Sequence, residues 1–272
     1  MIGYTALFFI GLAAAIVGSL IGLGGGFLVV PALLLLSEPL LGAEMPASVA
    51  VGTSLTMLIF TGLSSTITYM RQKKIDYRSG WLFTLISAPS SILGASLTSA
   101  FEGPTFQLGF GLFMLSMAVL MLVRDKLRPL KVDWPIKRTY TERDGCQWTY
   151  GYNLWSAALV GFAVGLVSGL FGIGGGSLFV PAMVLLYRFP PHIASATSMF
   201  VILWSSIIGS ATHIYLGEID WLSAAFLIPG ALLGGWLGAR VAQRLSSKVL
   251  LWILRIVLLW LALRLIVESL MA

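Results

Sequence analysis

Charge is scarce in this chain: of its 272 residues only 10% are Asp, Glu, Lys or Arg, against about 25% in an ordinary soluble domain. With 58% of residues hydrophobic, a single water-soluble core cannot hide the apolar surface, so a soluble globular fold is excluded. Cysteine occurs once, as Cys146, which rules out an intramolecular disulfide and a cysteine-pair metal or redox centre. Histidine occurs twice, with no His-Glu-x-x-His. No pair of intramembrane aspartates and no nucleophile with an adjacent base stands out either. The sequence therefore predicts no metal, no cofactor and no enzyme.

What the chain has is long apolar runs, at about 4–36, 47–70, 80–100, 105–123, 153–187, 193–216, 221–239 and 249–267. Most lie near the ~20 residues that a spanning helix requires. The expected class is an all-α polytopic membrane protein, with the lipid bilayer as its solvent. The first run has no basic segment before it and reads as mature protein, not a cleaved signal. The net charge of +6 comes mainly from short loops beside the apolar runs, so it reads as topology and not as a nucleic-acid surface.

Glycine is abundant, and its placement is informative. Ile21-Gly22-Leu23-Gly24-Gly25-Gly26 and Phe171-Gly172-Ile173-Gly174-Gly175-Gly176 repeat one pattern, each followed by a proline, Pro31 or Pro181. A glycine costs about 1 kcal/mol against alanine inside a helix, so these runs predict helix breaks. Backbone outside a helix is tolerated at membrane depth where protein buries it or a cavity wets it, and duplicated breaks point to a transporter. The block Gly22-x-Gly24-Gly25-Gly26 is not a dinucleotide loop, because Phe27 follows it and no βαβ pattern surrounds it.

The duplication extends beyond the glycines. Gly52-Thr53-Ser54 matches Ala196-Thr197-Ser198, Ile75-Asp76 matches Ile219-Asp220, and Pro89 with Gly94 matches Pro229 with Gly234. Residues 1–123 and 152–272 read as two copies of one unit, joined by a polar linker at 124–151. The loop charges change sign between copies: Arg71, Lys73, Lys74 and Arg78 in the first correspond to Glu218 and Asp220 in the second. An inverted arrangement puts 15 of the 17 basic residues in cytoplasmic segments, seven of them in the linker, leaving only Arg255 and Arg264 inside the last helix. A parallel arrangement would leave Arg188, Arg240, Arg244 and Lys248 outside. The expected architecture is therefore two inverted-topology repeats, each a glycine-broken, re-entrant block plus three spanning helices, with both termini external and the linker cytoplasmic. The difficulty is the first arm of each block, 4–22 and 153–172, which is long enough to span.

A helix that starts at a glycine turn offers unpaired N–H groups and the positive end of its dipole to an anion. The candidate substrate-binding residues are thus Gly24, Gly25, Gly26 and Phe27 with Gly174, Gly175, Gly176 and Ser177, their two tips converging from opposite faces. Thr53, Ser54, Thr197 and Ser198, early in the following helices, could donate hydroxyl hydrogen bonds to an oxyanion. Against this stands helix packing, which accounts for Gly18, Gly22 and Gly26 and for Gly161, Gly165 and Gly169 at every fourth position. His213, whose counterpart is Tyr69, reads as a loop-proximal polar residue, with proton coupling the sharper alternative. Arg255 reads as a snorkelling side chain. Trp148, Tyr150, Tyr152 and Trp155 read as interfacial aromatics.

The paired Gly-x-Gly-Gly-Gly blocks running into Val30-Pro31 and Val180-Pro181, followed by the two Thr-Ser elements, resemble the TauE/SafE family over nearly the whole chain. The resemblance implies a bacterial-type inner-membrane, multi-pass carrier that exports a small sulfur-containing anion of the sulfite or organosulfonate class. A coupling ion, proton or sodium, is a further expectation; the oligomeric state is left open. An anion channel of the same architecture is the alternative, and an intramembrane enzyme the more distant one.

Overall fold

The computed structural model describes residues 2–101, 103–123, 134–141 and 147–242, together with scattered helical positions between 252 and 269. Cys146, Arg244, Lys248 and Arg255 lie outside the described residues. In the first half, helices run over Ile2–Ile21 (α1), Gly26–Leu41 (α2), Ala47–Arg71 (α3), Tyr77–Thr98 (α4) and Pro104–Val123 (α5). In the second they run over Leu154–Phe171 (α6), Gly176–Leu185 (α7), Pro191–Leu216 (α8) and Trp221–Val241 (α9). Among the described residues, six helices are long and apolar enough to cross a membrane, namely α1, α3, α4, α6, α8 and α9.

Between the halves lies one element that apolar periodicity did not announce. Strands Ile136–Thr141 (β1) and Gln147–Tyr152 (β2) pair antiparallel as a hairpin.

Each glycine-broken block is a pair of antiparallel helices. A side-chain carbon on Gly3, early in α1, would strike the backbone of Leu40 at the end of α2, and one on Gly25 would strike Ala14. The block therefore enters and leaves at the same end of the bundle. The over-long first arm also finds its place, because α1 runs most of the bundle's length. Its Ser19 Oγ lies 2.7 Å from Ser65 Oγ, and the Tyr69 hydroxyl donates to the Ser19 carbonyl at 2.8 Å, both in the last third of α3. The tip is thus carried beyond the midpoint of α3, and α2 turns back from there.

Helix directions follow from which residues meet. Gly52 packs on His213, Thr56 Oγ1 lies 2.8 Å from Ser210 Oγ, and Gly62 packs on Leu203, so α3 and its counterpart α8 run antiparallel. Gly11 meets Leu227 and Gly238 meets Ile16, so α1 and α9 run in the same sense; Gly165 meets Ser87 and Gly169 meets Ser91, so α6 and α4 do too. These two pairs cross between the halves and pack nearly backbone to backbone, as small residues permit.

The same directions sort the charges. Arg71, Lys73, Lys74, Arg78, Arg138, Arg188 and Arg240 gather at one end of the bundle, where Arg71, Gln72, Trp236 and Arg240 line a cavity of about 600 Å³. Glu38, Glu44, Glu218 and Asp220 gather at the other, where Glu38 and Glu44 line one of about 490 Å³.

Candidate functional site

The two glycine turns sit side by side in the centre of the molecule, between α3 and α8. At Gly24 and Gly25 the backbone takes φ of 87° and 105°, and at Gly174 and Gly175 it takes 74° and 71°. This left-handed region costs a residue with a Cβ about 1–2 kcal/mol, which explains why glycine occupies both turns. Gly25 and Gly175 are the N-caps of α2 and α7. The first helical bonds are made by Leu28 and Leu178, at 2.9 and 3.1 Å to the Gly25 and Gly175 carbonyls, so the N–H groups of Gly26 and Phe27, and of Gly176 and Ser177, precede the helix ladder.

The tips cross. Gly26 packs against the Gly172 carbonyl, and Gly176 against the Gly22 carbonyl. Each helix N-terminus therefore faces the carbonyl end of the opposite half's first helix, positive dipole end to negative. Hydroxyls of the candidate set hold those carbonyls. Ser54 Oγ donates to Gly172 O at 2.9 Å, and Ser198 Oγ donates to Gly22 O at 2.6 Å. Ser195 Oγ adds a bond to Ile21 O at 2.8 Å.

Thr53 and Thr197 act one step further out. The Asp220 N–H donates to Thr53 Oγ1 at 3.0 Å, and the Asp76 N–H donates to Thr197 Oγ1 at 3.1 Å. Each threonine thus accepts from the turn of the other half and keeps its own hydroxyl hydrogen to donate.

All of Gly24, Gly25, Gly26, Phe27, Thr53, Ser54, Gly174, Gly175, Gly176, Thr197 and Ser198 are buried. The side chains of Leu58 and Ile202 cover Gly24 and Gly174. Phe27 faces the core, and Ser177 contributes its place in the first turn of α7. The fold thus brings the two sets together, in a closed arrangement in which hydroxyls of each half hold carbonyls of the other.

Several roles read from sequence change on inspection. Gly165 and Gly169 do pack α6 on α4, but Gly18 packs on Gly24 and Gly25 of its own hairpin. Tyr150 and Tyr152 are not interfacial aromatics. They are buried where the β-hairpin docks, Tyr150 with its ring centroid 4.2 Å from that of Phe189, Tyr152 against Phe83 and Tyr187. Trp148 and Trp155 are exposed.

His213, read as a loop-proximal polar residue, is fully buried, with Nδ1 2.7 Å from Glu218 Oε2. In the sequence Asp76 marks only the repeat. In the structure it caps α4, accepts from Ser79 Oγ at 2.7 Å, and is bound by Arg138 at 2.6 Å and by the Tyr150 hydroxyl at 3.0 Å. Burial, and secondarily the Asp76 carboxylate, push the Tyr150 phenol above its ordinary value.

Among the described residues, six helices long and apolar enough to cross a membrane, with two buried glycine turns between antiparallel α3 and α8, fit a multi-pass membrane protein, and the chain's relatives are named as transporters. The chain belongs to the family described as "Sulfite exporter TauE/SafE", which it matches over residues 7–265. It is 44% identical over 268 residues, 98% of both chains, to the "Probable membrane transporter protein YunE" of Bacillus subtilis. It is 29% identical to a "Probable membrane transporter protein" of Xylella fastidiosa, over 84% of this chain and 81% of that one. A third relative, "Probable membrane transporter protein MJ0441" of Methanocaldococcus jannaschii, is 27% identical over 89% of this chain and 87% of its own. No solved structure matches significantly.

Proposed function

We propose that the protein exports a small sulfur-containing anion, of the sulfite or organosulfonate class, across a bacterial-type inner membrane by alternating access between two inverted halves. The observation that carries this reading is the crossed pair of glycine turns. Two helix N-termini from different halves meet in one volume, each faced by a carbonyl of the other half. An anion taking the place of those carbonyls as the tips part would collect N–H donors from both helices. The hydroxyls of Ser54 and Ser198, released from Gly172 and Gly22, would turn to it with those of Thr53 and Thr197.

The antiparallel course of α3 and α8 supports the inversion, since a two-fold that exchanges antiparallel helices lies in the membrane plane. The gathering of basic residues at one end supports placing that end, with the linker, in the cytoplasm and both termini outside. The sulfur-containing substrate class rests on the family's description.

Purified protein in proteoliposomes is expected to show counterflow of sulfite, thiosulfate or an organosulfonate. Absence of flux for all three overturns the proposal. Flux without counterflow, faster than a conformational cycle allows, makes the protein a channel. Reporter fusions at both termini test the topology, and a cytoplasmic C-terminus overturns the inversion.

A further inference from the structure

The His213–Glu218 pair has no equivalent in the first half, where Tyr69 occupies the position of His213 and donates to the Ser19 carbonyl at 2.8 Å. His213 has no side-chain exposure, whereas Glu218 is 15% exposed at the bundle end. The histidine's other ring nitrogen, Nε2, is buried without a hydrogen-bond partner, a costly state for a polar atom unless it serves a purpose. The pair therefore has one edge at solvent and one unsatisfied nitrogen inside.

Among the described residues, its neighbours carry no compensating charge. From α3 it meets Gly52, where any Cβ would collide with the His213 ring and the Glu218 backbone, and beyond it Thr53 and Thr56. From α6 it meets the Gly169 backbone carbonyl, out of hydrogen-bonding geometry. Asp220, two residues past Glu218, already has its carboxylate bound by the Leu222 N–H and the Ser223 hydroxyl.

Resting on the transport reading above, we infer that His213 and Glu218 form the proton site that couples the anion's movement to a proton gradient. With neutral imidazole and ionised carboxylate the pair carries one negative charge. A proton taken from external water at the Glu218 edge and held on the imidazole brings the pair to zero net charge and leaves both ring nitrogens as donors.

The pair stands next to Gly52, whose neighbours Val51 and Ser54 hold the Gly172 turn by packing and by a 2.9 Å hydrogen bond. In its negative form it disfavours an anion at that turn; in its neutral form it admits one. Proton and anion thus bind together and move the same way, so export proceeds when the outward anion gradient exceeds the inward proton gradient and reverses when it does not.

The test uses proteoliposomes and thiosulfate or an organosulfonate, anions that stay ionised at every working pH, so that pH acts on the protein. An imposed pH gradient is expected to drive anion accumulation in the unaltered protein, about tenfold per pH unit for one coupled proton. His213→Tyr, which installs the first half's residue, and Glu218→Gln are each expected to abolish accumulation driven by pH. His192→Gln, at the opposite end of α8, keeps it. Flux driven by the anion gradient alone shows that Glu218→Gln and His192→Gln are folded and inserted, and an unchanged size-exclusion profile and thermal unfolding show the same for His213→Tyr, which keeps the negative charge.

A second readout is independent of transport. With two histidines in the chain, the imidazole nitrogen resonance that His213→Tyr removes should shift when thiosulfate is added at constant pH. Accumulation driven by pH that persists in both variants, or anion flux in the unaltered protein that ignores the pH gradient, overturns the proton site and leaves the transport reading standing. Absence of any anion flux overturns the transport reading, and an anion-insensitive His213 resonance then overturns the proton site as well.

Discussion

The Asp76 and Asp220 corners are built alike and finished differently. Both aspartates cap a helix, and both offer their backbone N–H to a threonine of the other half, at 3.1 and 3.0 Å. Beyond that shared frame, Asp76 is closed over by the β-hairpin through Arg138 and Tyr150, whereas the Asp220 corner holds the buried His213 beside the slightly exposed Glu218. The lesson is that a duplicated scaffold keeps what the backbone requires at both ends and varies the ionisable chemistry, which the backbone does not require. One end carries an aspartate–arginine pair and the other a histidine–glutamate pair.

The frame the two corners share can be broken at its centre, with the largest expected effect. Gly25→Leu and Gly175→Leu each combine a left-handed backbone with a collision, against Ala14 and Val164 respectively, and should abolish anion flux in proteoliposomes while the protein still inserts. If only one does so, the two turns are not equivalent.

Next comes the difference between corners. Asp76→Ala should destabilise by about 2 kcal/mol, the cost of a lost cap plus a partly buried ion pair, discounted because Arg138 remains a quarter exposed. Asp220→Ala, losing a cap and the Ser223 bond but no ion pair, should cost about 1 kcal/mol. Thermal unfolding in detergent compares them, and equal losses would mean that the hairpin contributes nothing at the Asp76 corner.

Alkaline pH should act on one corner only. Tyr150 ionises later in the folded protein than in the unfolded chain. Its contribution is therefore complete below the ordinary tyrosine value of about 10 and is lost as pH rises through the higher folded value. Tryptophan fluorescence from Trp134 and Trp148 should report undocking of the hairpin at alkaline pH, with Tyr150→Phe removing the transition.

The smallest effect is expected at Gly161→Ala, where the new Cβ meets the movable side chain of Ile86 at 3.1 Å. A change within about 0.5 kcal/mol and unaltered flux would separate packing glycines from the turn glycines.

The helices and the positions of both breaks were legible in the sequence because each rests on a local rule. Apolar length sets a span, a glycine run interrupts a helix, and duplicated motifs at nearly constant offset mark equivalent positions. The candidate site was legible as two lists, Gly24 to Phe27 with Thr53 and Ser54, and Gly174 to Ser177 with Thr197 and Ser198. Which list touches which was not. Ser54 serves the turn at Gly172 and Ser198 the turn at Gly22, because the halves interlock, and no spacing within a half encodes that exchange. The burial of Tyr150 and of His213 was not legible for the same reason. An aromatic near an apolar run, or a histidine in a last helical turn, looks exposed until another element is laid over it.

The sequence by itself determined the class, the apolar runs, the duplicated helix breaks and the charge reversal between halves, since composition and periodicity act along a single segment. Only the tertiary structure decided that the turns cross, that their carbonyls and hydroxyls satisfy one another across the halves, and that two equivalent corners differ in chemistry. Those outcomes depend on which surfaces meet once apolar faces are buried, and contact between residues more than a hundred positions apart is a property of the packed bundle.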